Sequence, residues 1–456
     1  MSHLTWGNID CVELARTYGT PLYVMDEAMI RSRCAEIRES FLEKWPDTTA
    51  CYASKAFLTT TMAKIIEQEG LGLDVVSGGE LHTALAAKFP ASRMVMHGSA
   101  KSESELCAAL SHGVGRVVVD GQMELELLAK LAAESGKHQD ILIRVAPGVV
   151  PKTHSHIVTG HKGSKFGLPI GGGIIEKAVT FALNSPNLTL RGFHFHIGSQ
   201  IFENEMHVKS VKRIAGLMES LKSRIGFETE ELNFGGGFGV GKTPEKAPSP
   251  LRGELHIPLS FFTDPMMEAL NFECGWRDLK RPSVTIEPGR WIVAEAGITL
   301  YTVETVKHLP DVTYIGVDGG MPDNPRPSLY QAAYEAVVAN KMDQPVEKEE
   351  KAKNAKKSGK SKKVTIAGKC CETGDILIDS IALPPVERGD VIAVFNTGAY
   401  NFSMANNYNR LTRPAVVLVN NGRADEIVER GTLDGLLLGD RMPERLTQET
   451  RHTSDG

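Results

Sequence analysis

Residues 48–65 read TTACYASKAFLTTTMAKI, and the architecture is decided by how this stretch is read. TTACYASK alternates in the manner of a strand, and an amphipathic helical run begins just after Phe57. Lys55 stands where the strand gives way to the helix. A lysine in that position is either a solvated end residue or a placed reagent.

The same strand-then-helix unit recurs. Seven more strand-like runs follow: GLDVVS, RMVMHG, GRVVVDG, DILIRVAPG, LRGFHFHIGS, ELNFGGGFG and SVTIEPGR, the last ending at Arg290. Most are separated by apolar residues at helical spacing, as in ESELCAALSHG and QMELELLAKLAAESG. Eight βα units in about 240 residues predict an α/β fold of the closed (β/α)8 TIM type. A doubly wound open sheet is the alternative, but no GxGxxG opens a helix after the first strand. Beyond Arg290 the strand-like runs ITLYTVETVKHL, VTYIGVDGG, DILIDSIALP, DVIAVFNTG and AVVLVNNG are joined by Gly, Pro and Asp turns. That texture predicts a second, all-β domain. The expected division is a barrel over residues 27–290, with 1–26 and 291–456 forming the β domain. The lysine-rich, low-complexity segment 346–363 reads as a solvated insertion.

A chain of 456 residues exceeds what one hydrophobic core usually organises, in keeping with two domains. A net charge of −5 gives no general attraction to nucleic acid or to an anionic membrane. No apolar run approaches the roughly 18 residues of a membrane span. The opening MSHLTWGNID has neither the basic nor the apolar region of a signal peptide. Together with seven scattered cysteines and no CxxC spacing, this predicts a reducing, cytoplasmic setting without structural zinc.

Barrel enzymes gather their chemistry at the C-terminal ends of the strands, and polar residues collect there. Lys55 closes the first strand, Asp74 and Ser77 the second, and His97 the third. His196 and Ser199 follow the sixth, Gly235, Gly236 and Gly237 the seventh, and Glu287 and Arg290 the eighth. The three glycines either form a tight turn or aim backbone N–H groups at a phosphate. In GFHFHIGSQ the alternation puts His194 and His196 on one strand face and Phe193 and Phe195 on the other. HxH can ligate metal, but no local carboxylate or third histidine completes a set, so no metal is expected. His194 reads as core packing, and His196 as packing or as a flat ring facing the barrel mouth. His154 and His156 fall in a loop with no evident role. Glu287, ending a buried type of strand, needs a cation or a protonated ring nitrogen. A lysine, a phosphate nest, a stacking imidazole and a carboxylate for a ring nitrogen together imply pyridoxal 5′-phosphate. The lysine that binds it is expected to have a lowered pKa.

YASKA, DVVSGGEL, HFHIGSQ, GGGFG, EPGR, DGGMPDNPRPSLY, CETGD and GAYNFSMANNYN, in that order, resemble the diaminopimelate decarboxylases. These are barrel-type pyridoxal-phosphate decarboxylases related to alanine racemase. The resemblance covers nearly the whole chain, departing at the lysine-rich insertion and at the Thr of CETGD. It implies decarboxylation of meso-2,6-diaminopimelate to L-lysine and CO2, the last step of lysine biosynthesis. It also implies that Lys55 holds the cofactor, His196 stacks on its ring and Glu287 keeps the ring nitrogen protonated. Gly237, the turn with Gly289 and Arg290, and Tyr400 would bind the phosphate. Arg290, Arg326 and Tyr330 would grip the substrate's distal carboxylate, with Glu372 on its distal ammonium and Tyr400 nearby. Cys371 would return a proton to the substrate carbon, from the neighbouring subunit of a homodimer with shared sites. Cys370 reads as packing. The forked guanidinium of Arg326 suits a diacid better than a plain diamine precursor, the alternative being a pairing with a structural acid. Alternatives are a related decarboxylase acting on ornithine, lysine or a carrier-bound amino acid, a barrel aldolase using Lys55 as its Schiff-base lysine, and a non-catalytic pyridoxal-phosphate carrier.

Overall fold

Strand Ser283–Ile286 lies parallel to Thr48–Ala53, pairing Val284 with Thr48, and this contact closes a barrel. The computed structural model describes residues 2–149, 164–241, 256–344 and 364–447. The insertion at 346–363, His154 and His156 lie outside the described residues. In chain order the eight barrel strands are Thr48–Ala53, Gly72–Val75, Met94–Met96, Arg116–Val119, Gln139–Ala146, Leu188–His194, Glu231–Asn233 and Ser283–Ile286. Each is parallel to the next, and the last returns to the first. Runs such as Val117, Val118 and Val119 are buried on both faces, as parallel strands covered by helices must be.

Every predicted barrel strand is present; Asp74 lies within its strand, but Lys55, Ser77, His97, His196, Ser199, Glu287 and Arg290 come after theirs end. Those residues stand in the βα loops, and some serve the next helix. Thr59, Ser77 and Ser102 accept hydrogen bonds from the backbone N–H groups of Met62, Glu80 and Glu105. Ser77, expected at the site, is therefore the N-cap of helix Gly78–Ala86.

The second sheet is built around the twelve-residue strand Gly297–His308. It pairs antiparallel with Leu22–Asp26, Val391–Phe395 and Thr313–Val317. Leu22–Asp26 also runs parallel to Ala415–Asn420. The chain thus passes through this sheet at Leu22–Asp26, enters the barrel through helix Glu27–Ile37, and returns after the short helix Arg290–Val293. Where the two units meet, Tyr400 donates its backbone N–H to the carbonyl of Ala56 at 2.7 Å. A β-domain tyrosine is fixed beside the lysine at the end of the first barrel strand.

Candidate active site

A cavity of about 490 Å³ opens at the C-terminal ends of the barrel strands. Its wall includes Lys55, His196, Ser199, Gly237, Glu287 and Tyr400. The register that places Ala53 opposite Asp74 brings the loop lysine onto the second strand's carboxylate. Lys55 Nζ lies 2.9 Å from Asp74 Oδ2. Burial alone would lower the Lys55 ammonium, but Asp74, with Tyr400 and Glu287 behind it, holds it above the ordinary lysine range. This is opposite to the lowered pKa expected for a reactive lysine. The cause is a neighbouring strand's carboxylate, which no local reading of YASKA contains.

Glu287 is buried and fully engaged. Its Oε1 is 2.6 Å from His97 Nε2 and accepts from Asn233 Nδ2 at 2.6 Å. His194 Nε2 lies 3.3 Å from Oε2, within ion-pair range. Burial would raise the Glu287 carboxyl, yet His97 and His194 hold it well below the usual carboxylate range. His194 itself is pushed down to about 3 by burial, against the pull of Glu287. The ligand atoms of His97, His194 and Glu287 lie within 4.8 Å of one another. A carboxylate and a second histidine, from the eighth and third strands, thus join His194 in space, though His196, the other half of the HxH pair, is not part of the cluster. His194 is a wall of the cavity as well as a core side chain.

The loop after the seventh strand packs between two others. A Cβ on Gly237, whose φ is +99°, would collide with Gly198 O, and one on Gly236 with Glu287 O. Glycine is required here by packing alone, and the same close approach leaves both residues on the cavity wall. The Gly236 N–H donates to His196 Nδ1 at 3.3 Å, so that nitrogen is an acceptor. Burial, with Lys55 and Arg144 nearby, pushes His196 well below its ordinary value, leaving a neutral imidazole.

Two arginines meet beside Tyr400; Arg290 lines the cavity, whereas Arg326 and Tyr330 do not. Arg290 Nε and Nη2 are each 3.4 Å from Ser199 Oγ. The Arg290 guanidinium sits 4.6 Å over the Tyr400 ring, and that of Arg326 5.4 Å over the same ring. Arg326 is buried and also lies 5.1 Å over Tyr330. Among the described residues neither arginine forms an ion pair with a carboxylate. Burial and the charge of Arg326 push Arg290 down to about 10. Tyr400 has φ +64°, a conformation uncommon for a tyrosine, and it holds the ring between the two cations.

Cys371 and Glu372 stand apart from this assembly. Both are exposed, and neither lines the cavity. The Cys371 N–H donates to Asn409 Oδ1 at 2.9 Å. Burial and then Asp375 push the Cys370 thiol up to about 12. Arg144, Lys101 and Asn233 were not anticipated. A basic residue inside the apolar run DILIRVAPG was a usable signal for Arg144; nothing local marked Lys101 or Asn233.

The described groups fit the cofactor that the sequence implies. Buried His194 Nδ1 lacks a hydrogen-bond partner, and His194 lines this ring-sized cavity; Asp74 Oδ1, also unpartnered, belongs to the carboxylate that holds the cavity-lining Lys55. A model of the pyridoxal-binding domain of pyridoxal-dependent decarboxylases matches residues 27–294. The chain belongs to the diaminopimelate decarboxylase family. It is 44% identical over 436 residues to the diaminopimelate decarboxylase of Bacillus subtilis, covering 95% of this chain and 94% of the relative. It is 45% identical to that of Bacillus methanolicus, over 94% of each chain. The structure of diaminopimelate decarboxylase from M. jannaschii in co-complex with L-lysine superposes with a TM-score of 0.85 at 32% identity, covering 98% of this chain and 97% of that one. As in this family, the cofactor is pyridoxal 5′-phosphate, and the chain is a decarboxylase.

Proposed function

We propose that the chain removes CO2 from meso-2,6-diaminopimelate to give L-lysine, closing lysine biosynthesis. The observation that carries this reading is the pair of buried arginines, Arg290 and Arg326, with no carboxylate partner among the described residues. Two cations sharing one tyrosine ring repel each other, and a substrate carboxylate between them would relieve that repulsion. Such a charge-assisted contact in a closed site is worth about 2–5 kcal/mol. Ornithine and lysine carry no distal carboxylate and would leave both arginines unpaired. The relatives' names and the lysine complex of the M. jannaschii structure agree with this substrate.

In this reading residues 27–290 hold the cofactor, and the β domain of 1–26 and 291–456 completes the site. Lys55 anchors the cofactor covalently, and Asp74 Oδ2 is placed to take the ammonium proton that must leave first. His196 offers a neutral flat face, and the glycine loop with Ser199 and Gly289 receives the phosphate. Glu287, kept ionised chiefly by His97, holds a proton at the ring nitrogen. When bound, the pyridoxal ring supplies the sink for the electron pair released as CO2 leaves. Tyr330 and Tyr400 flank the arginines. Glu372 binds the distal ammonium, and Cys371 delivers a proton to the carbon that has lost CO2. A thiol with an ordinary pKa near 8.5 still carries that proton at neutral pH.

Cys371 and Glu372 would act in the site of a second copy. Their exposure supports this, as does the apolar surface beside them. Asn409, which holds Cys371, adjoins Arg410, and Arg410 binds Leu436 O and Asp440. In the same segment Leu437, Leu438 and Met442 are 56%, 79% and 69% exposed, an unusual display for a surface left in water. The test of substrate is CO2 release from meso-diaminopimelate, L-lysine, D-lysine and ornithine. Turnover confined to diaminopimelate is expected; equal turnover of ornithine contradicts the reading. The test of the shared site is subunit exchange between Lys55→Ala and Cys371→Ala dimers. About a quarter of sites should recover after random exchange, and no recovery contradicts sharing.

A further inference from the structure

Asp375 is a buried carboxylate that the mechanism above does not use. It lies in CETGD, four residues beyond Cys371, and is 2% exposed. Its Oδ1 accepts the N–H of Met321 at 2.7 Å, and its Oδ2 accepts the N–H of Cys370 at 2.8 Å. No cation forms an ion pair with it among the described residues. Room for the carboxylate is made by Gly320 and Gly368, where a Cβ would collide with it. Burying an ionisable group without a cation is costly, and its two backbone donors, with the Cys370 thiol beside them, are what it gains.

Those donors belong to two different loops. Met321 is in the loop that enters the short helix Arg326–Tyr330, carrying the substrate arginine. Cys370 begins the loop that carries Cys371 and Glu372. Two further contacts follow the same seam. The Lys369 N–H donates to Gly319 O at 2.9 Å, and Ser328 Oγ donates to Gly374 O at 2.7 Å. The arginine loop is anchored from behind as well. Asp323 accepts from the N–H of Gly320 and from the Tyr301 hydroxyl.

We infer that Asp375 is a positioning residue that fixes the Arg326 loop and the Cys371–Glu372 loop to each other. This rests on the shared-site reading given above. There, one chain's Arg326 serves its own site, while its Cys371 and Glu372 serve the partner's. One carboxylate then sets the substrate grip of one site and the proton donor of the other. Asparagine at this position keeps the shape but retains only one acceptor oxygen, so one of the two loops loses its tether.

Mixed dimers with a single working site separate the two roles. A Lys55→Ala chain paired with a wild-type chain leaves one site, built from the wild-type chain's Lys55 and Arg326 and the other chain's Cys371. Asp375→Asn placed on the Lys55→Ala chain perturbs only the proton-donor loop, and kcat should fall about tenfold or more with KM little changed. Asp375→Asn placed on the wild-type chain perturbs only the arginine loop, and KM for diaminopimelate should rise about fivefold or more with kcat little changed. The visible absorption of the bound cofactor should be unchanged in both. Equal effects in the two arrangements, or none, overturn the inference. A control dimer, with Cys371→Ala added to the Lys55→Ala chain, must lose activity. If it does not, the shared-site reading has failed. The Asp375→Asn homodimer then decides separately, since retention of both wild-type kcat and KM would exclude any positioning role.

Discussion

Two parts of the site handle buried charge in opposite ways. At one end the protein meets its own charge: Glu287 is surrounded by His97, His194 and Asn233 from three other strands. At the other, Arg290 and Arg326 are crowded against Tyr400 without an anion. A buried charge that is already paired is a fixture, ready to act on a group that stays. A buried charge held without its counter-ion is a receptor for one that comes and goes. In the proposed reading the cofactor belongs to the first and the substrate's distal carboxylate to the second.

Three substitutions probe the fixed end, in decreasing order of effect. Lys55→Ala should lower kcat on the order of 10³-fold or more and abolish the visible absorption of lysine-bound cofactor. A borohydride-reducible bond to the cofactor surviving in that variant would show that another amine holds it. Glu287→Gln should lower kcat about 10²-fold while diaminopimelate still binds, since the charge lost faces the ring and not the substrate. A change in KM alone would place Glu287 with the substrate. Gly237→Ala forces a side chain into a left-handed backbone position against Gly198 O. It should weaken cofactor retention by about 1–3 kcal/mol, read by titrating stripped protein with pyridoxal phosphate. Unchanged affinity would mean that the loop relaxes freely.

The smallest effect is on stability in acid. Burial lowers His194 to about 3 and His207 to about 4. Below an ordinary histidine pKa near 6.5 the unfolded chain binds protons that the folded chain refuses, so stability must fall as pH falls from about 6.5 toward those values. Each residue should cost on the order of 1–2 kcal/mol by pH 5. Urea midpoints at pH 7 and pH 5 measure the slope, and His207→Gln should flatten it. An equal slope in that variant would assign the acid sensitivity elsewhere.

Legibility in the sequence followed the range of the interactions. The barrel strands were readable because strands buried on both faces are continuous apolar runs that end abruptly in polar or glycine loops. Strand Leu22–Asp26 was not, because its partners Gly297–His308 and Ala415–Asn420 lie at the far end of the chain. The residue types of the candidate site were visible at the strand ends; their partners were not. Glu287 announced a need for a counter-charge, but His97 and Asn233 meet it only once the barrel closes. The direction of the Lys55 shift was misread for the same reason, since Asp74 reaches it through inter-strand register. Asp375 looked like part of a motif, and only the fold shows its two oxygens reaching two loops.

The most direct measurement is the kcat/KM of Arg326→Met for meso-diaminopimelate, followed by CO2 release, with the visible absorption of the bound cofactor recorded on the same sample. If the arginine end is the substrate receptor and the glutamate end the fixture, kcat/KM should fall by about 2–5 kcal/mol while the absorption stays at its wild-type value. A kcat/KM within about threefold of wild type, roughly 0.7 kcal/mol, or a loss of bound cofactor that accounts for the loss of activity, would contradict this division of the site.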